Sequence, residues 1–176
     1  MTKKHSGGFT AVLVIIIAIA LVGASGYLAA EMMKNKSSAK GDSAFENGRY
    51  EEAFEYYKEA DKYSLRPDAK IVKGLAKSAF KSGNTEEAHK NYKKLIVMEP
   101  NDKETRYSYA QLCIKQEEYK TAEEQVRALR AMQDGKASEY ADELTGQIQT
   151  ARVKGVFSDL FKKIAPAITG GIIDGD

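Results

Sequence analysis

Read as apolar and polar positions, the chain falls into three regimes. From Phe9 to Ala30 no residue is charged, and ten strongly apolar side chains lie between Phe9 and Val22. No polar stripe interrupts the run. About 20 apolar residues in a helix cross a bilayer core, so residues 9–30 predict a transmembrane helix behind a short basic tail, residues 1–8, with Lys3, Lys4 and His5. A cleaved signal peptide is the competing reading, because small residues precede Ser25 (Val22-Gly23-Ala24) and Tyr27 (Ala24-Ser25-Gly26). The anchor is favoured because apolar character continues through Tyr27, Leu28, Ala29 and Ala30. Lys3 and Lys4 on one side nearly balance Lys34, Lys36 and Lys40 on the other. The expectation is a single-pass cell-membrane protein, with the short tail inside and the rest of the chain on the extracytoplasmic side.

After a Lys/Ser-rich connector, residues 31–36, which either links the helices or continues them, the pattern becomes helical and repeats. Gly48, Tyr50, Ala53, Tyr57 and Ala60 return as Gly83, Thr85, Ala88, Tyr92 and Leu95, then as Glu117, Tyr119, Ala122, Val126 and Leu129. The alanines fall 35 and 34 residues apart, the mark of stacked copies of one supersecondary unit. Each copy offers a leading helix, a turn and a trailing helix. The alanines sit where two helices approach closely, and the residues four positions on share their face. Leading helices are predicted near 37–47, 68–81 and 102–115, and trailing ones near 50–64, 85–98 and 119–132. Asp68 and Asp102 stand as N-caps at the repeat junctions. Three repeats result, at 37–67, 68–101 and 102–134.

Beyond them, residues 135–152 predict a capping helix with Tyr140, Leu144, Ile148 and Ala151 as its stripe. Residues 153–165 form an amphipathic helix: Val153, Val156, Phe157, Leu160, Phe161 and Ile164 share one face, and Lys154, Ser158, Asp159, Lys162 and Lys163 share the other. Pro166 is expected to end or kink it, leaving 166–176 as a flexible tail.

The repeat units resemble tetratricopeptide repeats, helix-turn-helix pairs of about 34 residues. Leu75, Ala76, Ala79, Gly83, Ala88, Tyr92 and Pro100 carry the pattern in the middle repeat. The outer repeats depart from it: Lys40 stands at an apolar place in the first, and Arg106 and Glu117 replace a leading apolar residue and the turn glycine in the third. The resemblance implies an all-α fold: an N-terminal transmembrane helix, a tetratricopeptide-like helical solenoid, a capping helix and an amphipathic C-terminal helix. It also implies a protein-binding concave face lined by leading helices. The family's carboxylate clamp for chaperone tails is missing, because its places hold Ser38, Asp42, Gly74, Glu104 and Ser108.

Composition narrows the chemistry. A formal net charge of +2 on 176 residues gives no field that points to nucleic acid. The single cysteine, Cys113, excludes an internal disulfide framework and reads as a buried, inert thiol. His5 and His89 have no partner at metal-ligand spacing, His89 reads as an exposed residue of its trailing helix, and no phosphate loop or nucleophile motif occurs. The Glu pairs that open the trailing helices suit the positive end of the helix dipole. The chain is therefore read as a non-enzyme without cofactor or metal.

What remains is surface. Lys73, Lys77 and Lys81 recur every fourth residue beside Phe80, with Lys70 one turn earlier; Tyr107, Gln111, Ile114 and Lys115 continue the face, and Asp42, Phe45 and Glu46 flank it. This predicts a groove for an acidic or carboxylate-bearing segment of a partner protein, against the plainer reading of a solvated lysine stripe. The tail face of Val156, Phe157, Leu160, Phe161 and Ile164 has three open uses: packing on the repeats, pairing with a partner or a second copy, and lying on a membrane. The favoured function is a membrane-anchored adaptor. A self-assembling scaffold is the alternative.

Overall fold

The computed structural model describes the backbone of residues 6–170 and the side chains of residues 11–165. Lys3, Lys4, His5 and residues 171–176 lie outside the described residues. Among those described, all regular structure is helical: α1 (Ser6–Glu46), α2 (Tyr50–Lys62), α3 (Ala69–Ser82), α4 (Thr85–Met98), α5 (Lys103–Lys115), α6 (Tyr119–Ala131) and α7 (Gly135–Gly170). The chain divides into two units, residues 1–83 and 84–176.

In the first unit the apolar run, the connector and the first leading helix are one 41-residue helix, α1. Nothing in 31–36 breaks it. Lys34 pairs with Glu31 one turn back at 2.7 Å, a spacing that supports helix. From Val12 to Met33 the large apolar side chains of α1 are exposed, whereas its last turns carry the buried Ser37, Ser38 and Ala44. The chain then reverses through Gly48, whose φ of +74° suits a residue without a Cβ. α2 packs on α1 and α3 through Ala53, Tyr57 and Ala60, against Ala44, Ile71 and Leu75.

The Tyr57 ring explains two glycines. A Cβ on Gly41 of α1 would lie 2.8 Å from the ring, and one on Gly74 of α3 would lie 2.5 Å from it. The ring is wedged where only hydrogen fits. Its hydroxyl donates to Asp42 Oδ1 at 2.7 Å, and burial followed by that carboxylate pushes its pKa up. Asp68 caps α3 by accepting from the Lys70 and Ile71 amides.

The second unit stacks α4, α5, α6 and the first half of α7 around Ala88, Tyr92, Leu95, Tyr109, Leu112, Ala122, Val126 and Leu129. Asp102 caps α5, accepting from the Glu104 and Thr105 amides. Arg106, the residue that breaks the repeat pattern, donates to the Pro100 carbonyl and to Gln125 Oε1, each at 2.9 Å. It therefore ties the junction to α6. Glu117 occupies the turn place of Gly48 and Gly83 with the same left-handed backbone, φ +61°. Lys103 reaches Asp134 at 2.9 Å, and Asp134 also accepts from the Ala137 amide at the start of α7.

Two expectations change here. The capping stripe is Ala137, Ala141, Leu144 and Ile148. Tyr140 lies beside it, stacked on Tyr107 with centroids 4.3 Å apart, and Ala151 is half-buried. The cap and the tail are one helix of 36 residues that runs through Pro166 to Gly170. Proline removes one N–H from a helix without obliging it to end.

Candidate functional site

The predicted partner-binding residues are divided between the two units, and each unit has its own geometry. In the first, Lys70, Lys73, Lys77, Phe80 and Lys81 all lie on α3. Lys77 and Lys81 are exposed one turn apart, while Lys73 and Phe80 are half-buried. Lys70 has another task. Its ammonium lies 2.7 Å from Asp42 Oδ2, on the carboxylate that also accepts from Tyr57. Asp42 thus joins α1, α2 and α3, and the sequence placed it only at the margin of the groove.

In the second unit, Tyr107, Gln111 and Lys115 follow one another along α5. Lys115 is exposed. Tyr107 is turned to α7, and Gln111 is half-buried beside it. The Tyr107 hydroxyl donates to Glu143, accepts from Gln111 Nε2 at 2.9 Å, and its ring stacks on Tyr140. Burial and then the Glu143 carboxylate push that hydroxyl up to about 12. Further along α7 a cleft of about 450 Å³ opens between Ile114 and Gly146, Gln147, Thr150 and Ala151. These α7 residues were not legible as surface, because their neighbours on α5 lie more than 30 positions away.

Beyond Arg152, which pairs with Glu123 at 2.8 Å, nothing among the described residues packs on α7. Val156, Phe157, Leu160, Phe161 and Ile164 are 42–69% exposed. Packing on the repeats, the first of the three uses considered, is therefore not what the structure shows.

His89 corrects another expectation. It is half-buried, its ring edge-on to Tyr109 at 5.5 Å, and its Nε2 lies 3.6 Å from Glu118 Oε1. His89, Cys113 and Glu118 each bring one donor atom to within 4.8 Å of the others. Donors of one tetrahedral zinc stand about 3.3–3.8 Å apart, given ion–ligand distances of about 2.0–2.3 Å. Burial, then the Glu118 charge, also pushes the Cys113 thiol up to about 12, away from the thiolate that binds metals. The fit to an ion is poor, and the trio is best read as core packing at the mouth of the α5–α6 turn.

The apolar half of α1 is long and apolar enough to cross a membrane, and none of its described side chains is buried. A signal sequence passes the same test of length and composition.

Family models for the tetratricopeptide repeat match residues 37–69 and 79–148. The repeats belong to the tetratricopeptide repeat family. Among solved structures, the chain resembles PcrH in complex with the chaperone binding region of PopB: TM-score 0.57, 18% identity, over 66% of this chain and 95% of that one. PcrH from Pseudomonas aeruginosa gives TM-score 0.57 and 17% identity over 69% and 93%. The Sgt2 tetratricopeptide domain from Aspergillus fumigatus gives 0.55 and 19% over 81% and 86%. At these identities the likeness is one of fold. No curated protein matches the chain.

Proposed function

We propose that this chain is a membrane-anchored adaptor, and that its tetratricopeptide repeats hold a partner protein beside the bilayer. The observation that carries the reading is the continuity of α1. One helix begins with a bare apolar run and ends as the first buried helix of the repeats, with no hinge between. A cleaved signal would have no need of that continuity.

The partner surface is the lysine stripe of α3. Lys73, Lys77 and Lys81 follow one another at one-turn spacing, with Phe80 half-buried beside them as an apolar contact. That combination suits an acidic or carboxylate-bearing segment with one aromatic or aliphatic side chain. Lys70 is engaged by Asp42 and serves to fasten α3 to α1. PcrH, of similar fold, has been solved in complex with the chaperone binding region of PopB.

In-cell crosslinking and capture of the full-length protein from membranes, beside the Lys73→Glu/Lys77→Glu/Lys81→Glu form, tests this. A dominant partner captured by the native chain and lost with the triple variant is the expected result. Equal capture by both at low salt would remove the lysine stripe from the account.

The bare face of α7 favours a second reading, a scaffold that self-associates through Phe157, Leu160, Phe161 and Ile164. The mass of the detergent-extracted full chain, followed with concentration, distinguishes the two. A monomer at all concentrations sets the scaffold aside.

A further inference from the structure

The loop between α2 and α3 lies alongside the end of the apolar run of α1. After the turn at Gly48, α2 runs back along α1, so its far end returns to the level where the uncharged residues stop. The structure shows this as a cavity of about 430 Å³ with Tyr27, Ala30 and Lys34 on one wall and Leu65, Arg66 and Pro67 on the other. Lys34 also reaches the α3 cap, Asp68, at 3.5 Å, which fixes the loop at this height.

The side chains presented there are unusual for a loop facing water. Leu65 is 77% exposed and Tyr27 is 53% exposed. Arg66 is exposed, and among the described residues no ion pair reaches it. Lys34, by contrast, is occupied by Glu31 and Asp68, and those carboxylates raise its pKa. A leucine, a tyrosine and an uncommitted arginine, level with the last residues of an apolar span, match the boundary between acyl chains and headgroups. There tyrosine anchors, leucine gains from burial, and arginine meets phosphate.

We propose that the α2–α3 loop is a second membrane contact, with Leu65 entering the interface and Arg66 binding a lipid phosphate beside Tyr27. This rests on the anchor reading of α1. The loop then acts as a foot that stops the repeats from tilting about the end of the span.

The protein contains no tryptophan, so one introduced residue is a unique reporter. Full-length Leu65→Trp and, separately, Ile16→Trp are reconstituted into phosphatidylcholine/phosphatidylglycerol vesicles whose acyl chains carry bromine near the ester end or deep in the core. Circular dichroism confirms helicity in each. The expected result is blue-shifted emission at position 65, quenched most by the shallow bromine, with position 16 quenched most by the deep one. In the background Arg66→Glu, quenching at position 65 should fall. If position 16 is quenched and position 65 emits as in water, the loop contact is wrong and the anchor stands. If neither is quenched, both readings are overturned.

Discussion

The two longest helices each have one packed half and one bare half, and the bare halves differ. In α1 the exposed apolar residues are consecutive: Val12 through Ile17 are 47–65% exposed, with no polar face between them. In α7 the exposed apolar residues fall on one side only, with Lys154, Lys162 and Lys163 on the other. A surface apolar all round suits a solvent that is itself apolar all round. A surface apolar on one side suits a boundary or another helix. Equal exposure therefore has two meanings, and what decides between them is the angular spread of the apolar residues.

The largest expected effect breaks the first half of that contrast. Ile16→Lys with Ile17→Lys puts two ammonium groups into the apolar run of the proposed anchor, each about 2.5–3.5 kcal/mol unfavourable for insertion. The double variant should be released from membranes by alkaline extraction. Val156→Lys with Leu160→Lys on α7 should leave extraction unchanged. Within α7 itself, Leu144 is fully buried and Leu160 is 51% exposed. Leu144→Ala should lower unfolding stability by about 2–5 kcal/mol, and Leu160→Ala by no more than about 0.5 kcal/mol, both read by urea titration.

Smaller effects sharpen the account of the packed halves. Gly74→Ala drives a methyl to 2.5 Å from the buried Tyr57 ring. It should cost about 1–3 kcal/mol through overpacking, and Tyr57→Leu in the same chain should recover part of it. Glu117→Gly relieves a left-handed residue at the third turn. It should raise the melting temperature of the second unit, with a gain of about 1 kcal/mol.

The apolar helix, the period and the caps were legible because each is a local pattern. Asp68 and Asp102 sit directly before their helices, and an uncharged run needs no partner to be seen. The networks were not. Tyr107 meets Glu143 and Lys70 meets Asp42 across 36 and 28 residues, so helix-face reading counted Tyr107 and Lys70 as open surface when both are engaged. His89 was misread for the same reason, since Tyr109 and Glu118 reach it from another helix and its turn. The capping stripe was placed around Tyr140 because a tyrosine outweighs an alanine in any apolar tally. In a crowded helix contact the small Ala137 and Ala141 fit, and the ring is left to stack at the edge.

The most direct test is the intact mass of the protein recovered from alkali-washed membranes of expressing cells. A mass near 19.4 kDa, the full chain, is the predicted result, with the apolar half of α1 retained. Recovery instead in the soluble fraction, with a mass that begins at Ser25 or Tyr27, would contradict the anchor, and with it the adaptor and the loop contact built upon it.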